Sequence, residues 1–454
     1  MKLRALLPSL LIACGPTLEP PATVAIPPLG QDGPAPSAST SRSGSEAWLR
    51  SLPCDGWATV GAITRTPSGD ILVLGTCSTF LDARGQTRRG ELFLTALDLR
   101  GEPRWHRDIG DLGATIACFP ADLVVAPDGT IYAAGTIDED GCTVGGHHLR
   151  SEGYGDAFVV ALDPNGEVQA VKQTRGGSSN YSPRIAVARD GDVLFGVMYQ
   201  EGMELMGARR AAPRGGAVLA RLDRNLEPVW TSFFTRDGAF IDALAATPHG
   251  WLVGGSFIDE LVYEDAHQHN HPLVARRPGR GRNAFLVALD GAGKAPLWSR
   301  HWISEEASVI DLEVTAEGAS YALLSFYESL DEPSRPGIEA QGRHDIALVA
   351  TTANGRPRWL TPADHAYEPR FLRVGHELLV TSMFFDDRDA GPNHLRTFLE
   401  RFATDDGHSV GRRRFGEHGW AVQVAATYDD TRALVAGRSQ PLGEGGYFVS
   451  LLEP

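Results

Sequence analysis

AITRTPSGDILVLG (62–75), ELFLTALDLRG (91–101) and EPRWHRDIG (102–110) together form one unit of a pattern that recurs seven times along the chain. An apolar run ends in a Pro/Ser-Gly turn, and a second apolar run follows at once. A loop leads to a Phe-x-x-Ala-Leu-Asp run, and a Trp-bearing run closes the unit. We label these runs a to d. The a runs include ADLVVAPDGT (121–130), DALAATPHGW (242–251) and DLEVTAEGAS (311–320). The b runs include IYAAGT (131–136), WLVGGSF (251–257) and ALVAGRS (433–439), and the c runs FVVALD (158–163), VLARLD (218–223) and FLVALD (285–290). Trp105, Trp230, Trp298 and Trp359 occupy matching places in d, and Val171 stands there in the second copy.

Short runs rich in Val, Ile, Phe and Tyr, bounded by Gly, Pro and Asp, are strand signals. The a–b and c–d links are short enough for tight hairpins. Gly75 and Gly437 end six intervals, which gives a period of about 60 residues. Four antiparallel strands per unit, repeated radially, make a β-propeller. The last copy stops after its c run at 448–453, whereas AWLRSL (47–52) reads as a d strand without its own unit. The expectation is therefore an all-β, seven-bladed β-propeller of four-stranded antiparallel blades, its ring closed by an N-terminal strand.

Length alone would suggest two or three domains, but a repeat makes one continuous architecture. Of the 454 residues, 42% are hydrophobic and 22% charged, enough for a large core. The formal charge is −15, which argues against nucleic acid as a partner. Lys2 and Arg4 precede an apolar stretch at 5–13, the layout of a signal peptide. That stretch is far shorter than the ~20 residues of a membrane span. Residues 14–46 are rich in Pro, Ser and Gly without apolar periodicity, the composition of a semi-stiff tether. The expected domains are a signal peptide (1–13), a tether beginning at Cys14 (14–46) and the propeller (47–454).

Leu11-Ile12-Ala13-Cys14 resembles the bacterial lipobox, whose Cys is lipidated and becomes the new N-terminus. The resemblance implies an exported, lipid-anchored protein, and Gly15 after the Cys implies the outer membrane or cell surface. The run TVGGHHLRSEGYGDAFVVALDPNGEVQA (143–170) is similar to the β-propeller repeats of bacterial, notably myxobacterial, extracellular proteins and lipoproteins. That resemblance covers 47–454 and implies a surface propeller without an established general chemistry. It weakens at 351–355 and 403–407, where ThrThrAlaAsnGly and AlaThrAspAspGly replace the Leu-Asp-x-x-Gly turn.

Four cysteines remain after Cys14, and an even count in an exported chain favours disulfides. Cys54 precedes strand a of the first unit and Cys77 ends its strand b. Cys118 and Cys142 hold a similar relation in the second. The expected pairs are Cys54–Cys77 and Cys118–Cys142, each closing a loop that contributes ~3 kcal/mol. Other connectivities and a four-Cys zinc site remain alternatives. His267, His269 and His271 alternate and would share one face of a strand, where they offer imidazoles to zinc or copper; a solvated loop is the plainer reading. Asp138 and Asp140, with Asp386, Asp387 and Asp389, faintly resemble calcium loops.

The b–c links are long and variable, so their face is the expected binding surface for a protein or glycan partner. Arg276, Arg277, Arg280 and Arg282 in the fourth of them suit an anionic group, although Asp259, Glu260, Glu264 and Asp265 nearby balance their charge. No Gly-x-Ser-x-Gly, His-Glu-x-x-His or P-loop pattern occurs. The sequence therefore points to a non-catalytic binding or assembly scaffold of the cell envelope with no cofactor, calcium and zinc being minor possibilities. A propeller enzyme acting on polysaccharide, or a metal- or quinone-dependent oxidoreductase, is the alternative.

Overall fold

The computed structural model describes residues 46–452, apart from 55–56, 79–89, 113–117, 177–178, 206, 211–214, 236–237, 275–280, 333–334, 364–366, 386–394, 416–420 and 439–445. It is a β-propeller built wholly of antiparallel strand pairs among these residues. The c runs are buried almost end to end, because each blade is packed on both faces. Glu91–Leu97 is exposed only at Glu91, and Asn283–Asp290 is half-buried only at its two ends.

The expectation of a seven-bladed propeller of four-stranded blades, its ring closed by an N-terminal strand, is corrected. Six blades are each made by one contiguous stretch of chain: 57–111, 118–173, 179–235, 240–302, 307–363 and 367–415. We number them one to six. The last repeat does not make a seventh blade of that kind. Its three strands, Ala421–Asp429, Arg432–Arg438 and Gly446–Leu452, share an antiparallel sheet with Glu46–Pro53, which pairs with Gly446–Leu452. Nor is four the strand number throughout. Two of the contiguous sheets carry six strands, and one hairpin stands as a separate two-stranded sheet.

The extra strands come from the b–c links, and each reaches back to the preceding blade. The link of blade two folds into Cys142–Val144 and His147–Leu149, which extend blade one through Gly110↔Val144 and Asp111↔Thr143. The link of blade four folds into Leu261–Glu264 and Asn270–Val274, which extend blade three through Phe233↔Glu264, Phe234↔Tyr263 and Thr235↔Val262. In blade three the hairpin Met203–Leu205/Ala208–Arg210 meets the end of blade two, where Arg175 and Glu204 exchange both backbone hydrogen bonds. The long ribbon of blade five (Ser320–Glu332 and Arg335–Thr351) does the same to blade four, with Ile303 and Asp331 exchanging theirs. Apolar residues anchor these clips: Val144 and Leu149, Met203 and Leu205, Leu261 and Tyr263, and Leu330 are all buried.

Turn chemistry and blade contacts are coupled. The Asp that ends each Leu-Asp run folds its turn, as Asp98 Oδ1 accepts the N–H groups of Arg100 and Glu102 at 2.8 and 2.9 Å. Asp163 and Asp223 act likewise. The turn then accepts a tryptophan from the neighbouring sheet. Trp298 Nε1 donates to Ala353 O at 3.0 Å and Trp359 Nε1 to Thr404 O at 3.1 Å. Trp48, in Glu46–Pro53, donates to Leu99 O at 2.7 Å. Indoles thus bridge successive sheets with both area and a directed bond.

Candidate functional site in the central channel

The first strand of each sheet lines the axis, and successive first strands pack side by side, with Ala421–Asp429 against Trp57–Arg65. Each of these strands breaks register once in its first half. The shifts fall between Val60 and Ala62, Pro120 and Asp122, Tyr181 and Arg184, Ile241 and Ala243, Val309 and Asp311, Tyr367 and Arg370, and Val422 and Val424. A β-bulge re-aims a side chain, and here a ring of bulges points charged groups at the axis. Asp122, Arg184, Asp242, Asp311 and Arg370 line a cavity of about 230 Å³.

The carboxylates tie sheet to sheet. Asp122 accepts the N–H of Leu123 on its own strand and that of Ile185 on the next, both at 2.9 Å. Asp311 repeats the arrangement with Leu312 at 2.9 Å and Phe371 at 3.2 Å. Asp242 accepts the Ser308 hydroxyl at 2.5 Å, and its carbonyl accepts Arg184 Nε at 2.7 Å. Two residues beyond Asp311, Glu313 accepts the Arg373 N–H at 3.4 Å and the Thr427 hydroxyl at 3.2 Å, so three sheets meet on one carboxylate.

Burial works against these charges. It pushes Asp122 above the usual carboxylate range, opposed by the Arg184 guanidinium and the two N–H donors. Burial likewise pushes Asp311 up to about 6, against Arg370 and its backbone donors. Burial and the Asp311 charge push Glu313 up to about 7, against Arg373 and Thr427. Asp311 and Glu313 therefore sit in the channel with their carboxyls raised toward neutral pH, and the guanidinium groups of Arg184 and Arg370 lie among the lining residues.

The residues singled out in the sequence lie elsewhere. Cys54–Cys77 and Cys118–Cys142 are both disulfides. His267, His269 and His271 belong to the clip on blade three and gather around Asp265, whose side chain is 3% exposed. Asp265 accepts the N–H groups of His267 and His269 at 2.8 Å, His271 Nε2 at 3.1 Å and His269 Nδ1 at 3.3 Å. Burial opposes the charge of Asp265, but these donors, His271 first, hold its carboxyl at about 2. Arg282 stacks on Phe240, its guanidinium carbon 4.1 Å from the ring centroid. Arg276, Arg277, Arg280, Asp386, Asp387, Asp389 and Cys14 lie outside the described residues. Asp138 accepts the Asp140 N–H within its turn.

A second concavity, of about 580 Å³, lies on the outer edge of blade two between two clips. His147, His148, Lys172, Arg175, Glu204 and Glu227 line it. The channel carboxylates carry a weak signal in the sequence: Asp122 and Asp311 stand at the same offset before the turn glycines Gly129 and Gly318, whereas Asp242 stands one residue further from Gly250.

No family model matches the chain, and no curated protein matches it. Solved structures do resemble it. A protein of unknown function from Dyadobacter fermentans is 12% identical, with TM-score 0.41 over 90% of this chain and 98% of that one. Sqt1 from Chaetomium thermophilum is 13% identical, with TM-score 0.46 over 89% and 100%. The quinohemoprotein alcohol dehydrogenase of Comamonas testosteroni is 10% identical, with TM-score 0.39 over 89% and 76%. At such identities and scores none of these likenesses bears on activity.

Proposed function

We propose that the chain is a lipid-anchored β-propeller of the cell envelope that serves as a binding or assembly scaffold and not as a catalyst. The observation that carries this reading is the engagement of the channel carboxylates. Asp122, Asp242 and Asp311 each bond to the neighbouring sheet, a part in holding the ring in shape. The lipobox-like Leu11-Ile12-Ala13-Cys14 and the Pro-rich 14–46 supply the anchor and the reach. The groove lined by His147, His148, Lys172 and Arg175 offers a polar surface between two b–c links, suited to a glycan or a protein segment.

Two measurements test this. Cys14→Ser moves the chain from the membrane pellet to the soluble fraction; retention in the pellet refutes the anchor. A thermal-shift panel of envelope glycans on the full chain gives a shift that Lys172→Ala or Arg175→Ala removes. A ligand at 100 times its Kd stabilises by ~2.7 kcal/mol. Turnover of a panel compound that Asp311→Asn abolishes would overturn the non-catalytic reading.

A further inference from the structure

On the outward side of blade one, Glu91, His106 and Asp108 bring three ligand atoms within 4.8 Å of one another. They come from paired strands: Phe93 pairs with Asp108 and Thr95 with His106, so alternate positions place all three side chains on one face. The imidazole is held from outside the trio. Thr95, 3% exposed, bonds His106 Nδ1 through its hydroxyl at 2.8 Å, and that hydroxyl also meets Tyr447 OH at 3.3 Å. Phe93 lies against the ring, centroid to centroid 5.4 Å. Nε2 is thereby turned toward the carboxylates, 3.4 Å from Asp108 Oδ1.

We propose that Glu91, His106 and Asp108 form a zinc site on the flank of the propeller. One imidazole nitrogen and two carboxylate oxygens are accepted zinc donors, and three protein ligands leave a coordination position open for water or a partner's side chain. Metal-bound histidines characteristically engage their second nitrogen with a neighbouring group, the part Thr95 plays here. Thr95 is thus a positioning residue and makes no bond to the ion. The site is independent of the scaffold reading, because a propeller with or without an enzymatic channel would carry it.

The test is calorimetric titration of the metal-free full chain with Zn²⁺ near pH 7.5. One saturable ion per chain is expected. His106→Ala and Glu91→Gln abolish or weaken it by at least tenfold, and Thr95→Val weakens it by about 10–100-fold, the usual effect of removing a ligand's supporting partner. Thr95→Ser restores it, which a merely structural role for the methyl group would not give. Glu91 is exposed, so Glu91→Gln keeps the test meaningful if His106→Ala unfolds. Binding that survives both His106→Ala and Glu91→Gln, or that is lost only in His269→Ala/His271→Ala, overturns the assignment. So does the absence of saturable binding.

Discussion

Replacing Gly407 by Ala tests the coupling between turn and indole that joins one sheet to the next. Gly407 has φ +76°, a backbone conformation that costs an L-residue ~1–2 kcal/mol. A Cβ there lies 2.6 Å from Trp359 Cε3 and 2.6 Å from Thr361 Oγ1. Trp359 is 8% exposed, so the indole has little room to retreat. Moving it also disturbs its hydrogen bond to Thr404 O, worth ~1 kcal/mol. Overpacking of this kind costs ~1–3 kcal/mol. The whole change should destabilise by about 3–6 kcal/mol. Gly146→Ala is the control: φ is +79° and nothing lies within 4 Å of the added carbon, so only the backbone cost of ~1–2 kcal/mol applies. Urea unfolding followed by tryptophan fluorescence compares the two at matched m-values. Equal midpoints for Gly407→Ala and Gly146→Ala would refute the steric account, whatever their common shift.

Two further outcomes follow from the structure. The folded pKa of Glu313, about 7, lies above its ordinary 4.5, so the stability linked to its proton is full below pH 4.5 and is lost as pH rises through 7. Glu313→Gln should flatten the fall in urea midpoint between pH 5 and pH 8, by at most about 3 kcal/mol at the alkaline end; an unchanged slope would exclude Glu313 as its source. Cys54→Ser/Cys77→Ser opens a disulfide loop with a sequence separation of 23 and should cost ~3 kcal/mol, read as a lower midpoint than that of the parent chain. A double variant with the parent's midpoint would show that this crosslink does not constrain the unfolded chain.

What the sequence made legible was local. The Gly69 and Asp98 turns depend on neighbours a few residues away, and they and the Trp stripe recur with the period, although the indoles' partners lie on the next sheet. The clips were illegible because their partners are distant: Val144 pairs with Gly110, and runs such as CTV and HHL are too short to show alternation. They also explain why uniform four-stranded blades were the wrong count. His267, His269 and His271 do alternate, but Asp265, just upstream, gathers their N–H groups and rings into a turn, which periodicity alone does not weigh. The channel carboxylates required the copies to be aligned with one another, since Asp122 or Asp311 read singly looks like any strand-leading acid.

The backward reach of the clips sets an order of events for a chain made from its N-terminus. Blade one ends at Asp111, and the strand that covers its rim begins at Cys142, some thirty residues later. Blades one to four are each met, at one end of the outer strand, by a link of the following blade, which covers part of an edge that could recruit a neighbouring molecule. The same contact recurs from blade one to blade four, so each blade's outer strand depends on the following blade for part of its pairing.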